Sequence, residues 1–121
     1  MAKNMEIALL FDFYGELLTE KQRNVVEMYY NDDLSLAEIA ESENITRQGV
    51  RDSIKRAEAQ MLELEDKLHL TVRFREMREG FAAICNAAEE IREVNDKFHY
   101  SRQIDQRAAH IIELAEQLKE R

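Results

Sequence analysis

From Val50 to Leu118 the apolar residues fall at steps of four and three with few interruptions. Val50, Ile54, Ala57, Met61, Leu64 and Leu68 form one series. Met77, Phe81, Ile84, Ala88, Ile91, Val94 and Phe98 form a second, and Ile104, Ala108, Ile111, Ala115 and Leu118 a third. That period sets each series on one stripe of an α-helix, whereas a strand face would need a period of two. Little interrupts it, because the 121 residues include no Pro and only 3 Gly. Without those residues there is little to break helices or to turn hairpins. The fold class that follows is all-α, at a length that suits about one domain with a real core.

The first half divides into shorter pieces. Met5, Leu9, Phe13 and Leu17 recur every four residues, with Leu10 and Tyr14 beside them, which predicts a first helix over 4–18. Thr19 with Gln22, and Ser35 with Glu38, have the spacing of capping boxes that open a second and a third helix. The second buries Val25, Val26, Met28, Tyr29 and Tyr30, although the two tyrosines cannot share one side. It ends at the turn residues Asn31, Asp32 and Asp33. The third is short, around Leu36, Ala37, Ile39 and Ala40. Thr46 caps a long helix carrying the series from Val50. The stretch His69–Leu70–Thr71 is the least helical point beyond it, so residues 1–70 are expected to form a head and residues 71–121 a tail. Ser101 caps the last helix, making the tail a helical hairpin. Its apolar rows serve either the hairpin itself or a seam between two copies, and a homodimer is favoured.

The segment LSLAEIAESENITRQGV, residues 34–50, carries the functional signal. Two helices joined by a short turn, pinned by Ile39 and Ala40 on one side and by Ile45, Val50 and Ile54 on the other, make a helix-turn-helix. The outward face of its second helix would present Arg47, Gln48, Arg51, Asp52, Lys55 and Arg56. Arg and Gln suit base edges and Lys suits phosphates. The chain's formal net charge of -8 opposes binding to a polyanion. Residues 1–70 hold 8 Lys/Arg against 15 Asp/Glu, and residues 71–121 hold 9 against 10. Within 47–56, however, four cations face only Asp52, a basic strip in an acidic background.

LLTEKQRNVVEMYYNDDLSLAEIAESENITRQGVRDSIKRAEAQMLE, from Leu17 to about Glu63, resembles region four of bacterial sigma factors, which reads the promoter's upstream element. More specifically, residues 5–70, including the ending KLHL, resemble the YlxM family of small bacterial helix-turn-helix proteins. The family resemblance implies an all-α protein, often a dimer, with a regulatory role in protein targeting by the signal recognition particle. It brings no catalytic residues. Two positions depart from the helix-turn-helix pattern: Glu43 stands in a customary apolar slot, and Asn44 replaces the customary turn Gly. The ligand expected is therefore nucleic acid, either DNA or the RNA of the signal recognition particle. The alternative is an adaptor that docks a protein component of that pathway through its acidic surface.

Other chemistries find little support. Met5, Phe11, Phe13, Tyr14, Met28, Tyr29 and Tyr30 suit a core better than a cofactor pocket. His69, His99 and His110 are far apart, and the one-turn pairs Asp96–His99 and His110–Glu113 fall short of a metal site. Cys85 has no paired His motif, and no glycine-rich phosphate loop occurs. No enzyme activity, cofactor or metal is expected. A single Cys permits no intramolecular disulfide, and the N-terminal apolar stretch is interrupted by Glu6 and Asp12. A cytoplasmic protein without membrane insertion follows.

Overall fold

In the computed structural model, which describes residues 3–120, the order is α1 (Met5–Tyr14), a 3-10 turn (Gly15–Leu17), α2 (Glu20–Tyr30), α3 (Leu36–Glu43), α4 (Arg47–Leu68), α5 (Leu70–Phe98) and α6 (Arg102–Lys119). No strand occurs among the described residues. Met1, Ala2 and Arg121, the outermost residues of the expected head and tail, lie outside them. The chain divides into two compact units between Thr71 and Val72.

In the head, α4 is the spine against which α1, α2 and α3 all pack. Val50, Ile54, Ala57 and Met61 are wholly buried on one stripe of it, so the head's own helices occupy most of this seam. One core cluster joins Ala57 and Met61 to Ile7, Leu10, Phe11, Tyr14, Leu18 and Val26. A second joins Val50 and Ile54 to Val25, Tyr29, Ile39 and Ala40. Both expected capping boxes form: Thr19 Oγ1 accepts from the Gln22 N–H and Ser35 Oγ from the Glu38 N–H, with each partner side chain reaching back.

The first helix departs from expectation. Met5, Leu9 and Leu17 are 83%, 50% and 57% exposed, while Ile7, Leu10, Phe11, Tyr14 and Leu18 enter the core. The reason is local. MEIALLFDFY is apolar nearly all round, so spacing alone leaves its rotation open. The α-helix also stops at Tyr14, and the tighter turn over Gly15–Leu17 shifts the phase. A side chain at position 15 would meet the Phe11 ring at 2.9 Å, which explains a glycine there.

Tyr14 also takes part in closing the head. His69 ends α4 in the left-handed conformation (φ 56°), its N–H donating to the Glu65 carbonyl at 2.8 Å. The Glu65 carboxylate accepts from the Tyr14 hydroxyl at 2.6 Å, from the Thr71 N–H at 3.2 Å and from the Thr71 hydroxyl, thereby capping the first turn of α5. Burial pushes the Glu65 carboxyl up, but those hydrogen bonds outweigh it and hold it below the usual carboxylate value. Burial and Glu65 together push the Tyr14 phenol up. Burial likewise raises Tyr30, whose half-buried hydroxyl donates to Glu58 at 2.7 Å.

The tail is an antiparallel hairpin with an unusual inner seam. Contacts pair Cys85 with the Ile112 carbonyl, Arg92 with Asp105 (3.0 Å) and Asn95 with Ser101. The Asn95 amide donates to the Ser101 carbonyl and accepts from its N–H, both at 2.9 Å, and Ser101 in turn caps α6. Ala88 and Ala108 sit between these contacts and Ala115 one turn beyond Ile112, all buried. The large members of the expected rows lie elsewhere. Met77, Ile84, Ile91, Val94 and Phe98 on α5, with Ile104, Ile111 and Leu118 on α6, are 41–71% exposed, as is Leu114 outside those rows at 45%. Ile91 borders the same groove as Ile104, Ala108 and Ile111, so the two rows adjoin on one face of the hairpin.

Candidate nucleic-acid interface

The turn between α3 and α4 is Asn44–Ile45–Thr46. Asn44 adopts the left-handed conformation (φ 58°, ψ 44°), which Asn tolerates better than most side chains. The Ile45 N–H donates back to the Ala40 carbonyl at 3.0 Å, stopping α3 cleanly. Ile45 packs against the second core cluster. Thr46 Oγ1 accepts from the Gly49 N–H at 2.9 Å and starts α4. Glu43 stays half-buried outside both clusters, so Ile39, Ala40 and Ile45 close the angle between the helices without an apolar residue at position 43.

Every predicted contact residue is exposed on α4: Arg47, Gln48, Arg51, Asp52, Lys55 and Arg56. At 3.6 residues per turn, positions 48, 52, 55 and 59 lie opposite the buried line 50, 54, 57 and 61. None of Arg47, Arg51, Lys55 or Arg56 has a carboxylate partner within 4.0 Å among the described residues, where other cations such as Lys67 and Arg92 do. Asp52 instead accepts a hydrogen bond from the Gln48 amide at 2.9 Å.

Grooves flank this ridge on both sides. One, of about 420 Å³, runs between the start of α3 and α4 and is lined by Ser35, Leu36, Ala37, Arg47, Gln48 and Arg51. The other, also about 420 Å³, includes Thr19, Lys21, Gln22, Ser53 and Arg56. A ridge with cations on each flank has the form of a helix set between two phosphate strands. Lys21 was not expected there, being far upstream. Its one signal in the sequence is its place in the first turn of α2, where a cation opposes the helix dipole.

The remaining candidates are dispersed. His69 serves as a helix cap, His99 and His110 are exposed, and Cys85 is buried. No group of three or more His, Cys, Asp or Glu suited to a metal occurs among the described residues. No helix among them is long and apolar enough to cross a membrane.

Comparison with known proteins agrees with this architecture. Residues 1–100 match the family model UPF0122, described as "Putative helix-turn-helix protein, YlxM / p13 like". A UPF0122 protein of Desulforamulus reducens is 48% identical over 81 residues, covering 67% of this chain and 69% of its own length. One from Bacillus thuringiensis is 45% identical over 97 residues, covering 80% of this chain and 88% of its own. One from Clostridium kluyveri is 56% identical over 70 residues, 58% of this chain and 63% of its own. With its caps, turn and α4 ridge in place, the chain belongs to the UPF0122 family of YlxM/p13-like helix-turn-helix proteins.

Proposed function

We propose that the head binds nucleic acid along the α4 ridge as part of a regulatory role. The observation that carries this reading is the set of four cations, Arg47, Arg51, Lys55 and Arg56, exposed together and without carboxylate partners. Phosphate neutralisation dominates affinity for nucleic acid, and salt bridges within the protein would consume that capacity. Lys55, Arg56 and the added Lys21 serve phosphates, while Arg47, Gln48, Arg51 and Asp52 face base edges. The YlxM likeness supports a finer version, in which a cytoplasmic protein works in targeting by the signal recognition particle on DNA or on the particle's RNA.

The tail supports a homodimer. Two adjoining rows of large apolar side chains, half exposed on one face of the hairpin, have the pattern of half a four-helix bundle. A second copy would double the basic strip.

The adaptor alternative would use the head carboxylates outside the fold's own contacts. Glu38 is held in a capping box, Glu58 and Glu65 accept from tyrosines, and Asp33 pairs with Lys3. Anisotropy with labelled duplex DNA and with the particle's RNA compares the two readings. The charge reversal Arg51→Glu/Lys55→Glu is expected to weaken binding at least tenfold. Unchanged binding by that variant would overturn the proposal. Nuclease-resistant capture of the particle, lost on neutralising head carboxylates, would favour the adaptor.

A further inference from the structure

The centre of the α4 ridge holds an acid. Positions 48, 52, 55 and 59 form the line farthest from the core, and Asp52 sits in its middle. A surface built for phosphate alone gains nothing from a carboxylate at that place, which repels the polyanion. Lys55 and Arg56, three and four residues on, are within reach along the helix, yet Asp52 bonds to Gln48 instead. The Gln48 amide donates to the carboxylate through Nε2, which leaves its Oε1 an acceptor that this bond does not use. Asp52 Oδ2 is a second acceptor with no partner among the described residues. The first two crest positions, Gln48 and Asp52, are therefore acceptors, with Lys55 next on the same line and Arg47, Arg51 and Arg56 beside it.

Major-groove base edges answer that pattern selectively. Cytosine presents an amino donor there, and adenine presents one beside an acceptor. Guanine and thymine offer that face only acceptors. We propose that the Gln48–Asp52 pair is a base-reading element, in which Asp52 accepts from the exocyclic amino group of a cytosine in the major groove of B-form DNA. Gln48 is the positioning residue that fixes the Asp52 carboxylate. The proposal rests on the nucleic-acid reading above and narrows it to duplex DNA, because the deep, narrow major groove of A-form RNA does not admit a helix.

The test is a selection from randomised DNA duplexes with the wild type, Asp52→Ala and Gln48→Ala, alongside the affinity of each for an unselected duplex. The wild type is expected to enrich cytosine at one position on the order of tenfold. Asp52→Ala is expected to lose that preference and to raise its affinity for the unselected duplex, since a negative charge leaves the ridge. Gln48→Ala is expected to weaken the preference without shifting its position. A cytosine preference that survives Asp52→Ala would overturn the proposal, as would a wild type that binds all duplexes alike. The unselected duplex separates the two levels: absence of any binding to it overturns the DNA reading itself, whereas binding without preference overturns only the role of Asp52.

Discussion

Single residues at the helix ends decide where this chain bends. Thr19, Ser35, Thr46 and Ser101 each accept a hydrogen bond from the backbone N–H three residues on. All four are legible in the sequence because capping is local chemistry. Asn44 and His69, both left-handed, mark the ends of α3 and α4. At position 44, Asn44→Gly is expected to be neutral or stabilising, and Asn44→Val to cost about 1–2 kcal/mol in denaturant unfolding, through its branched Cβ. The Tyr14–Glu65–Thr71 contact was not legible, since it joins residues far apart in the chain. It gives a pH dependence of two opposite signs. The Glu65 carboxyl titrates lower folded than unfolded, so its contribution is present above its ordinary value of 4.5 and fades as pH falls through the folded value. The Tyr14 and Tyr30 phenols titrate higher folded, so theirs is complete below the ordinary value of 10.0 and fades as pH climbs through the folded values. Urea unfolding across that range should show both arms, and Tyr14→Phe should shrink the alkaline one.

At the scale of elements, periodicity located the helices and misjudged two of their faces. In α1 the apolar residues surround the axis, and only the core and the turn at Gly15 decide that Leu10 and Phe11 go inward while Met5 and Leu9 stay out. In the tail the rows are real, but the hairpin closes on Cys85, Ala88, Asn95, Ala108 and Ala115. Spacing cannot distinguish two stripes that lie side by side on one helix. Asn95 is the element's key polar contact, because its amide satisfies both backbone groups of Ser101. Asn95→Ala would leave a buried pair unmade, and about 1–3 kcal/mol of the tail's stability should be lost, measurable as earlier hydrogen exchange at the start of α6. The exposure of the α4 side chains at 47, 48, 51, 52, 55 and 56 is legible in the sequence, because the buried line 50, 54, 57 and 61 fixes what lies opposite. The Gln48–Asp52 bond and the place of Lys21 beside the ridge depend on side-chain choice and on the packing of α2, which no spacing reveals.

For the molecule as a whole, one chain carries a tail face with large, half-exposed apolar residues and a head whose cations are concentrated on one helix. Fully burying an exposed residue such as Ile is worth about 1.5–3 kcal/mol, so covering the exposed half of Ile91, Ile104 and their neighbours is a substantial unused term. Sedimentation equilibrium is expected to give twice the 14.3 kDa chain mass. Ile91→Glu with Ile104→Glu should give the single-chain mass while the head keeps its helical signal, and a wild type that sediments as one chain would remove the dimer. Whether the α4 ridge binds phosphates is read from the salt dependence of binding. With Lys21, Lys55 and Arg56 on phosphates, the logarithm of the association constant for duplex DNA should fall linearly with the logarithm of salt concentration. The expected slope is roughly -2 to -3 per head, and Lys55→Ala should lower its magnitude by about one. A slope near zero, or one that Lys55→Ala leaves unchanged, would contradict phosphate binding by the ridge.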